Sequence, residues 1–290
     1  KDDNYMAEFT HNNIEEKPVS GYYFAPLSHS PKSFQSYVPI MNGCNNFCTY
    51  CIVPYVRGRE VSRPVNEILQ EITELSSRGV REITLLGQNV NSYKGEDGEG
   101  RGIDFPKLLS LIAREADKTD MIRWIRFMSS HPKDMSDALI DTIAAEKKLC
   151  KLVHLPVQHG SDTILKRMNR VYTVEHYKNR IKRLKETIPD IALSTDILMG
   201  FPGETEDDVK ATLDLMQEIE FDSAFMYHYN PREGTKAFNY PDRIPEEVKI
   251  ERLGRVIDLQ LKLTAKKMKA KLGKKVDILV ESHSRKERFE

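Results

Sequence analysis

From Tyr37 onward, short runs of β-branched and aromatic residues alternate with longer stretches in which apolar side chains recur every three to four positions. Six runs read as strands: residues 36–41, 82–86, 121–128, 152–155, 191–198 and 223–227. Between them, Val65, Ile68, Leu69, Ile72 and Leu75 mark one helical stripe, with Pro64 suited to its first turn. Tyr177, Ile181, Leu184 and Ile188 mark a second, and Val209, Leu213 and Met216 a third, opened by the Thr205–Asp208 helix-start pattern. Each gap is long enough for a parallel crossover, so the alternation predicts repeated βα units around a parallel sheet. A long helix is predicted after Pro245, with Ile250, Leu253, Ile257, Leu261 and Met268 on its apolar side and a lysine-rich, solvated end. Residues 1–34, broken by Pro18, Pro26 and Pro31, read as a lead-in, residues 93–104 as an exposed loop, and residues 276–280 as the first strand of a further unit.

Composition narrows the function. The 290 residues carry 44 Lys+Arg against 44 Asp+Glu, a balance that excludes a globally basic nucleic-acid coat and an acidic disordered tail. No apolar run approaches the ~18 residues of a membrane span, so no membrane partner is expected. Four cysteines are too sparse for a disulfide framework and suit a reducing compartment, hence a cytoplasmic location. The length allows two ordinary domains or one barrel, and the opening Lys1 suggests an excised piece of a longer chain.

The candidate chemistry sits in GCNNFCTYC, where Cys44, Cys48 and Cys51 are spaced Cys-x3-Cys-x2-Cys directly after the first predicted strand. Three thiolates on one short loop can converge on a single inorganic centre. A disulfide leaves one of them unpaired. Structural zinc wants a fourth ligand, which would have to come from elsewhere in the chain. A cubane of four irons on three cysteines instead leaves one iron open, as a reactive site requires. Cys150 reads as a small buried hydrophobe and His154 as a core histidine.

With Tyr50 just before its last cysteine, this motif resembles the radical S-adenosylmethionine superfamily, which implies a partial (β/α)6 TIM-like barrel, an α/β fold. The further stretches LLGQNVNSY, LPVQHGSD, STDILMGFPGET and YHYNPREGTKA resemble the methylthiotransferases, most closely the MiaB-type tRNA enzymes. The resemblance covers roughly residues 36–280. It implies that Cys44, Cys48 and Cys51 hold a catalytic [4Fe-4S] cluster whose open iron grips S-adenosyl-L-methionine. It further implies cofactor contacts from Tyr50, Gly87, Gln88 and Asn89, from Ser194, Asp196 and Gly200 at the end of the fifth strand, and from Arg232 after the sixth. Carboxyl ends of barrel strands are where ligands collect, although these glycines also suit simple turns.

The implied activity is methylthiolation at C2 of an isopentenylated adenosine beside the tRNA anticodon, initiated by a 5′-deoxyadenosyl radical. Partners would be the anticodon stem-loop and a reducing electron donor such as a flavodoxin or ferredoxin. Arg57, Arg59 and Arg63 are candidates for phosphate or cofactor-carboxylate contacts, against surface or structural ion pairs. On this reading residues 1–34 lead in from a missing N-terminal domain that carries a second cluster. Residues 35–274 form the radical domain, and residues 275–290 begin a truncated RNA-binding β-barrel. The piece alone is then incomplete for full turnover. Rival readings are a methylthiotransferase acting on threonylcarbamoyl-adenosine or a ribosomal-protein aspartate, and a non-catalytic metal-cluster module that binds RNA.

Overall fold

The computed structural model describes residues 33–276, 278 and 280. The predicted lead-in lies almost wholly outside these residues, as does most of the segment 275–290. In chain order the elements are β1 (Gln35–Pro39), β2 (Met41–Asn42), α1 (Val53–Arg57), β3 (Val61–Ser62), α2 (Val65–Ser77), β4 (Glu82–Leu86), β5 (Lys94–Glu96), β6 (Gly102–Asp104) and α3 (Phe105–Asp117). There follow β7 (Trp124–Phe127), α4 (Asp137–Ala145), β8 (Leu152–His154), α5 (Asp162–Arg167), α6 (Val174–Thr187), β9 (Ala192–Met199), α7 (Glu206–Ile219), β10 (Ser223–His228) and α8 (Glu246–Lys269).

Strands β1, β4 and β7 pair in parallel, as do β8, β9 and β10. A parallel bridge between Ile125 and Leu149 joins the two sets into one arc of six, with β1 and β10 at its open edges. This is the partial (β/α)6 barrel, and each of its strands falls on a predicted run.

Alternation along the strands decides the two faces. Val38, Ile83, Leu85, Ile125, Val153, Leu193 and Ile197 point outward into a core shared with Ile68 and Ile72 of α2, Leu108 and Ile112 of α3, Ile140 of α4, Tyr177 and Leu184 of α6, and Met216 of α7. Intervening positions carry polar and aromatic groups that meet across strands: Arg126 pairs with Glu82 at 3.2 Å, and His154 lies 2.9 Å from Ser194 and 3.3 Å from Asp196. The His154 ring also packs edge-on against Phe225. Helix α7 starts with a capping box, Thr205 and Asp208 each bonding the other's backbone N–H, a device that contributes about 1 kcal/mol.

Three expectations change. Residues 93–104 are not a plain loop: β5 and β6 form an antiparallel hairpin, and Tyr93 at its root is buried, its hydroxyl donating to the Arg63 carbonyl at 2.6 Å. On α8 the predicted stripe faces out, with Ile250, Leu261 and Met268 exposed. The buried face is Lys249, Arg252, Val256, Gln260 and Leu263, whose long polar members cover the barrel with their aliphatic stems and place their heads on internal acceptors. Cys150 is only half-buried and sits among Arg126, Glu82 and Lys151, on the polar inner face rather than in the core.

Candidate functional site

The cysteine loop is held from three sides. Antiparallel pairing of β2 with β3 closes residues 43–60 into a loop whose legs touch, Cys44 N–H donating to the Gly58 carbonyl at 3.2 Å. Gly43 has φ +78°, and a Cβ there would lie 2.0 Å from the Arg59 carbonyl oxygen, so only glycine fits. Asn45 and Glu60 bond across the same neck. From the far side, Thr49 N–H and hydroxyl donate to the Met168 and Arg167 carbonyls, and the Thr49 carbonyl accepts from Ala237 N–H at 2.8 Å. Asn169 donates to the Phe47 carbonyl at 2.9 Å.

Within this frame Cys48 is buried, while Cys44 and Cys51 are half-buried. Burial pushes the Cys44 and Cys51 thiols up, and negative charge on Cys48 pushes both further, so neighbouring thiols resist joint ionisation until metal binding displaces their protons into solvent. Three thiols on one short loop, with no fourth cysteine on that loop, are the donor set of a cubane that keeps one iron open.

Beside the loop, a cavity of about 520 Å³ opens at the carboxyl ends of β8, β9 and β10. Tyr50, Gln158, Asp196, Tyr227, Asn230 and Arg232 line it, so three of the sequence-predicted cofactor residues meet there. Arg232 is exposed, and its charge acts on Cys51, which ties the cavity to the cysteine loop. Tyr50 rests edge-on against Phe201, which also packs on Tyr229 and Tyr240. Gln158, which sequence reasoning did not single out, has φ +70°, a left-handed conformation costly for a non-glycine residue. Its backbone nevertheless bonds to Asp196 and Leu198 of β9, so the sheet holds the strained residue with its side chain at the cavity.

The carboxyl ends of β4 and β7 carry a second group of polar atoms. Gln88 Oε1, Asn89 Oδ1 and Ser130 Oγ are buried without a partner among the described residues, whereas Asn89 Nδ2 is fixed by Asp134 at 2.7 Å. Buried polar atoms are nearly always bonded, so the orphans suit a polar ligand. Gly87 allows close approach to Met41, whose side chain would meet a Cβ at 2.4 Å.

Other expected residues are placed differently. Ser194 is not at a strand end: β9 continues to Met199, and Ser194 lies low on the inner face, bonded to His154. Asp196 is also mid-strand but reaches the cavity. Gly200, at φ +70°, forms the turn after β9, where a Cβ would strike the Lys249 side chain at 2.2 Å. Arg63 is a correction: it is buried and ion-paired to Glu67 and Glu71, with Nη1 also on the Pro39 carbonyl, so its charge is spent inside. Arg57 and Arg59 are exposed, the latter over the Phe47 ring at 4.5 Å.

A buried layer beneath the turn was not legible in the sequence. Glu204 is fully buried and accepts from Gly200 N–H at 2.7 Å, from Arg252 Nη1 at 2.9 Å, and meets His159 Nε2 at 3.1 Å. Arg170 was likewise missed: it is buried against Cys48, Tyr172 and the Pro156 carbonyl. Both depend on contacts made from distant parts of the chain.

The chain belongs to the Radical SAM superfamily, which it matches over residues 38–216. It is 97% identical over its whole length to a tRNA-2-methylthio-N(6)-dimethylallyladenosine synthase of Treponema denticola, of which it covers 64%. It is 62% identical over 281 residues, 97% of this chain, to the synthase of the same name from Treponema pallidum, of which it covers 62%. The chain thus spans somewhat under two thirds of these relatives. Among solved structures, it resembles the radical S-adenosylmethionine methyltransferase TsrM of Kitasatospora setae, solved with cobalamin and a [4Fe-4S] cluster (TM-score 0.56, 19% identity, 70% of this chain and 38% of that one). It also resembles the radical enzyme coproporphyrinogen III oxidase of Escherichia coli (TM-score 0.56, 17% identity, 81% of this chain and 54% of that one). At these identities the likeness is one of fold. The donor set fits the superfamily's pair of groups, three thiols on one loop for a [4Fe-4S] cluster and an adjoining polar cavity for S-adenosyl-L-methionine.

Proposed function

We propose that this chain is the radical-generating domain of a tRNA methylthiotransferase acting on isopentenylated adenosine beside the anticodon. The observation that carries the reading is the meeting of the Cys44–Cys48–Cys51 loop, through Tyr50 and Arg232, with the cavity holding Asp196 and Gln158. The near-identity to the synthase of Treponema denticola supports the choice of substrate.

When bound, the cluster supplies one electron that splits S-adenosyl-L-methionine into methionine and a 5′-deoxyadenosyl radical. The chain's residues do the rest by position. Cys44, Cys48 and Cys51 would hold the cluster and leave one of its positions open to the cofactor. Gln88 and Asn89 offer their unpaired carbonyl oxygens as acceptors for cationic or N–H groups. Asp196, already oriented by His154, accepts from ligand hydroxyls, and Arg232 offers positive charge. Tyr50, Leu198 and Tyr227 wall the cavity with apolar surface, Tyr50 being backed by the buried Phe201, and this limits water around the reacting carbon.

The target base has to leave the anticodon stack to reach this mouth, at a cost that is least for unpaired bases. Arg57 and Arg59 are exposed beside the cysteine loop and suit backbone phosphates. On this reading electrons come from a small flavodoxin- or ferredoxin-like carrier and the enzyme works in the cytoplasm; among the described residues no helix is long and apolar enough to cross a membrane. Mass spectrometry of tRNA from a strain lacking the gene tests the substrate. Loss of the 2-methylthio group from isopentenylated adenosine is expected. Its loss from threonylcarbamoyl-adenosine instead, with the isopentenylated nucleoside unchanged, would overturn the assignment.

A further inference from the structure

Arg170 poses a problem of charge that its protein partners do not solve. Its side chain is buried, with 8% of the residue exposed. Nε donates to the Tyr172 hydroxyl at 2.9 Å, Nη2 to the Pro156 carbonyl at 3.0 Å, and Nη1 to Cys48 Sγ at 3.4 Å. The guanidinium also lies over the Tyr172 ring, 5.1 Å from its centroid. Every one of these partners is neutral while Cys48 is a thiol, and among the described residues no carboxylate lies within ion-pair distance of Arg170. Burying a charge without a counter-charge costs several kcal/mol. The neighbouring groups do not help: His131, packed on Tyr172 at 5.4 Å, is held neutral by burial and by Arg170 itself.

The arrangement is also rigid. Tyr172 passes the constraint onward, its hydroxyl donating to the Val157 carbonyl at 2.8 Å. Arg170 N–H donates to the Leu165 carbonyl at 2.8 Å, and the adjacent Asn169 and Met168 both grip the cysteine loop. The cation is therefore built into the wall of the loop that carries the three sulfurs.

We propose that Arg170 is the counter-ion of the iron–sulfur cluster: a positioning residue that bonds the Cys48 sulfur and raises the potential at which the cluster accepts its electron. The inference rests on the cluster reading above. An oxidised cubane core of formal charge 2+ on three thiolates carries a net −1, and one added electron makes it −2. A fixed cation beside one sulfur stabilises the more negative state more, so it eases reduction. Hydrogen bonds to cluster sulfurs and local charge are the protein's means of setting such potentials. No atom moves in the step; the electron comes from an external reductant such as dithionite.

The test uses this chain reconstituted anaerobically with iron and sulfide, with no S-adenosylmethionine present, alongside Arg170→Lys and Arg170→Gln. Iron content, circular dichroism and the midpoint potential from an electron-paramagnetic-resonance titration are measured for each. At matched iron content, Arg170→Gln should lower the reduced-to-oxidised ratio at a fixed potential about tenfold or more, a shift of about 59 mV for one electron. Arg170→Lys, which keeps the charge and loses the fork, should fall between. Folded Arg170→Gln that fails to retain iron, while Arg170→Lys retains it, also supports the counter-ion role. Equal potentials in wild type and Arg170→Gln at about four irons per chain would sink the proposal and leave the cluster reading standing. Weaker S-adenosylmethionine binding at unchanged potential would do the same, moving Arg170 to the cofactor carboxylate. Unfolding of both variants before iron is added would make Arg170 a structural strut and overturn it. A wild-type chain that binds no iron would remove the cluster reading and the proposal together.

Discussion

Replacing Glu204 with alanine should cost more stability than truncating any surface charge, because one carboxylate serves three buried partners. Glu204 is fully buried, and Arg252, with only 10% of its side chain exposed, donates to both Oε1 at 2.9 Å and the Glu204 carbonyl at 3.0 Å. Removing the carboxylate leaves that guanidinium with only the more distant Glu206, at 4.0 Å, as counter-charge, a loss of about 3–5 kcal/mol for a broken buried pair. It also removes the acceptor of Gly200 N–H, about 1–3 kcal/mol for an unsatisfied buried donor. The two overlap, so about 4–6 kcal/mol is expected, which lowers the melting temperature by about 10 °C or more. Glu204→Gln keeps the shape and one acceptor and should lose about half as much. Urea unfolding of wild type, Glu204→Ala, Arg252→Met and the double variant closes a mutant cycle. A coupling energy below about 0.5 kcal/mol, or a Glu204→Ala loss under about 1 kcal/mol, would refute the reasoning.

Four further outcomes are expected. Gly43→Ala should strip most of the iron from reconstituted chain, because its Cβ would overlap the Arg59 carbonyl at 2.0 Å; undiminished iron content would show that the neck of the loop can open. Asp196→Ala should weaken S-adenosylmethionine binding about tenfold, the loss of one charge-assisted hydrogen bond of about 1.5 kcal/mol, while iron content stays unchanged; calorimetry showing equal affinity would take Asp196 out of the site. Burial, and then Arg170 and Lys133, lower His131 from 6.5 to about 2, so below pH 6.5 the unfolded chain binds a proton that the folded chain refuses. Stability therefore rises with pH across that window, and about 2 kcal/mol is missing at pH 5 relative to pH 7.5; His131→Asn should flatten this difference, and an equal loss in both proteins would contradict it. Reversing Arg57 and Arg59 to glutamate should weaken binding of an anticodon stem-loop RNA and reduce the slope of log affinity against log salt by about 1 to 2; an unchanged slope would place the RNA elsewhere.

What the sequence disclosed depended on how local the signal was. The Cys44–Cys48–Cys51 spacing lies within one loop, and each of the six strands is a short run whose alternation survives folding. Tyr50, Asp196 and Arg232 could be named from their motifs, and they do line one cavity. Pairings between distant segments were invisible. Arg63 could be read either as a phosphate or cofactor contact or as a structural ion pair, and only the folded start of α2, which brings Glu67 and Glu71 onto it, decides for the ion pair. On α8 a purely apolar stripe was expected, yet Lys249, Arg252 and Gln260 turn inward because their head groups find the Tyr229 carbonyl, Glu204 and the Phe221 carbonyl. Arg170 carries no periodic or motif signal. Its meaning comes from Cys48, more than a hundred residues earlier.

The central claim is that three sulfurs on one loop leave an iron free to split a sulfonium cofactor in the adjoining cavity. Chain reconstituted with iron and sulfide, reduced with dithionite and supplied with S-adenosylmethionine, measures this directly through the 5′-deoxyadenosine released. The account expects release that depends on reductant and is lost in Cys48→Ala. A chain that carries one zinc, or a full cluster that releases no 5′-deoxyadenosine under these conditions, would contradict it.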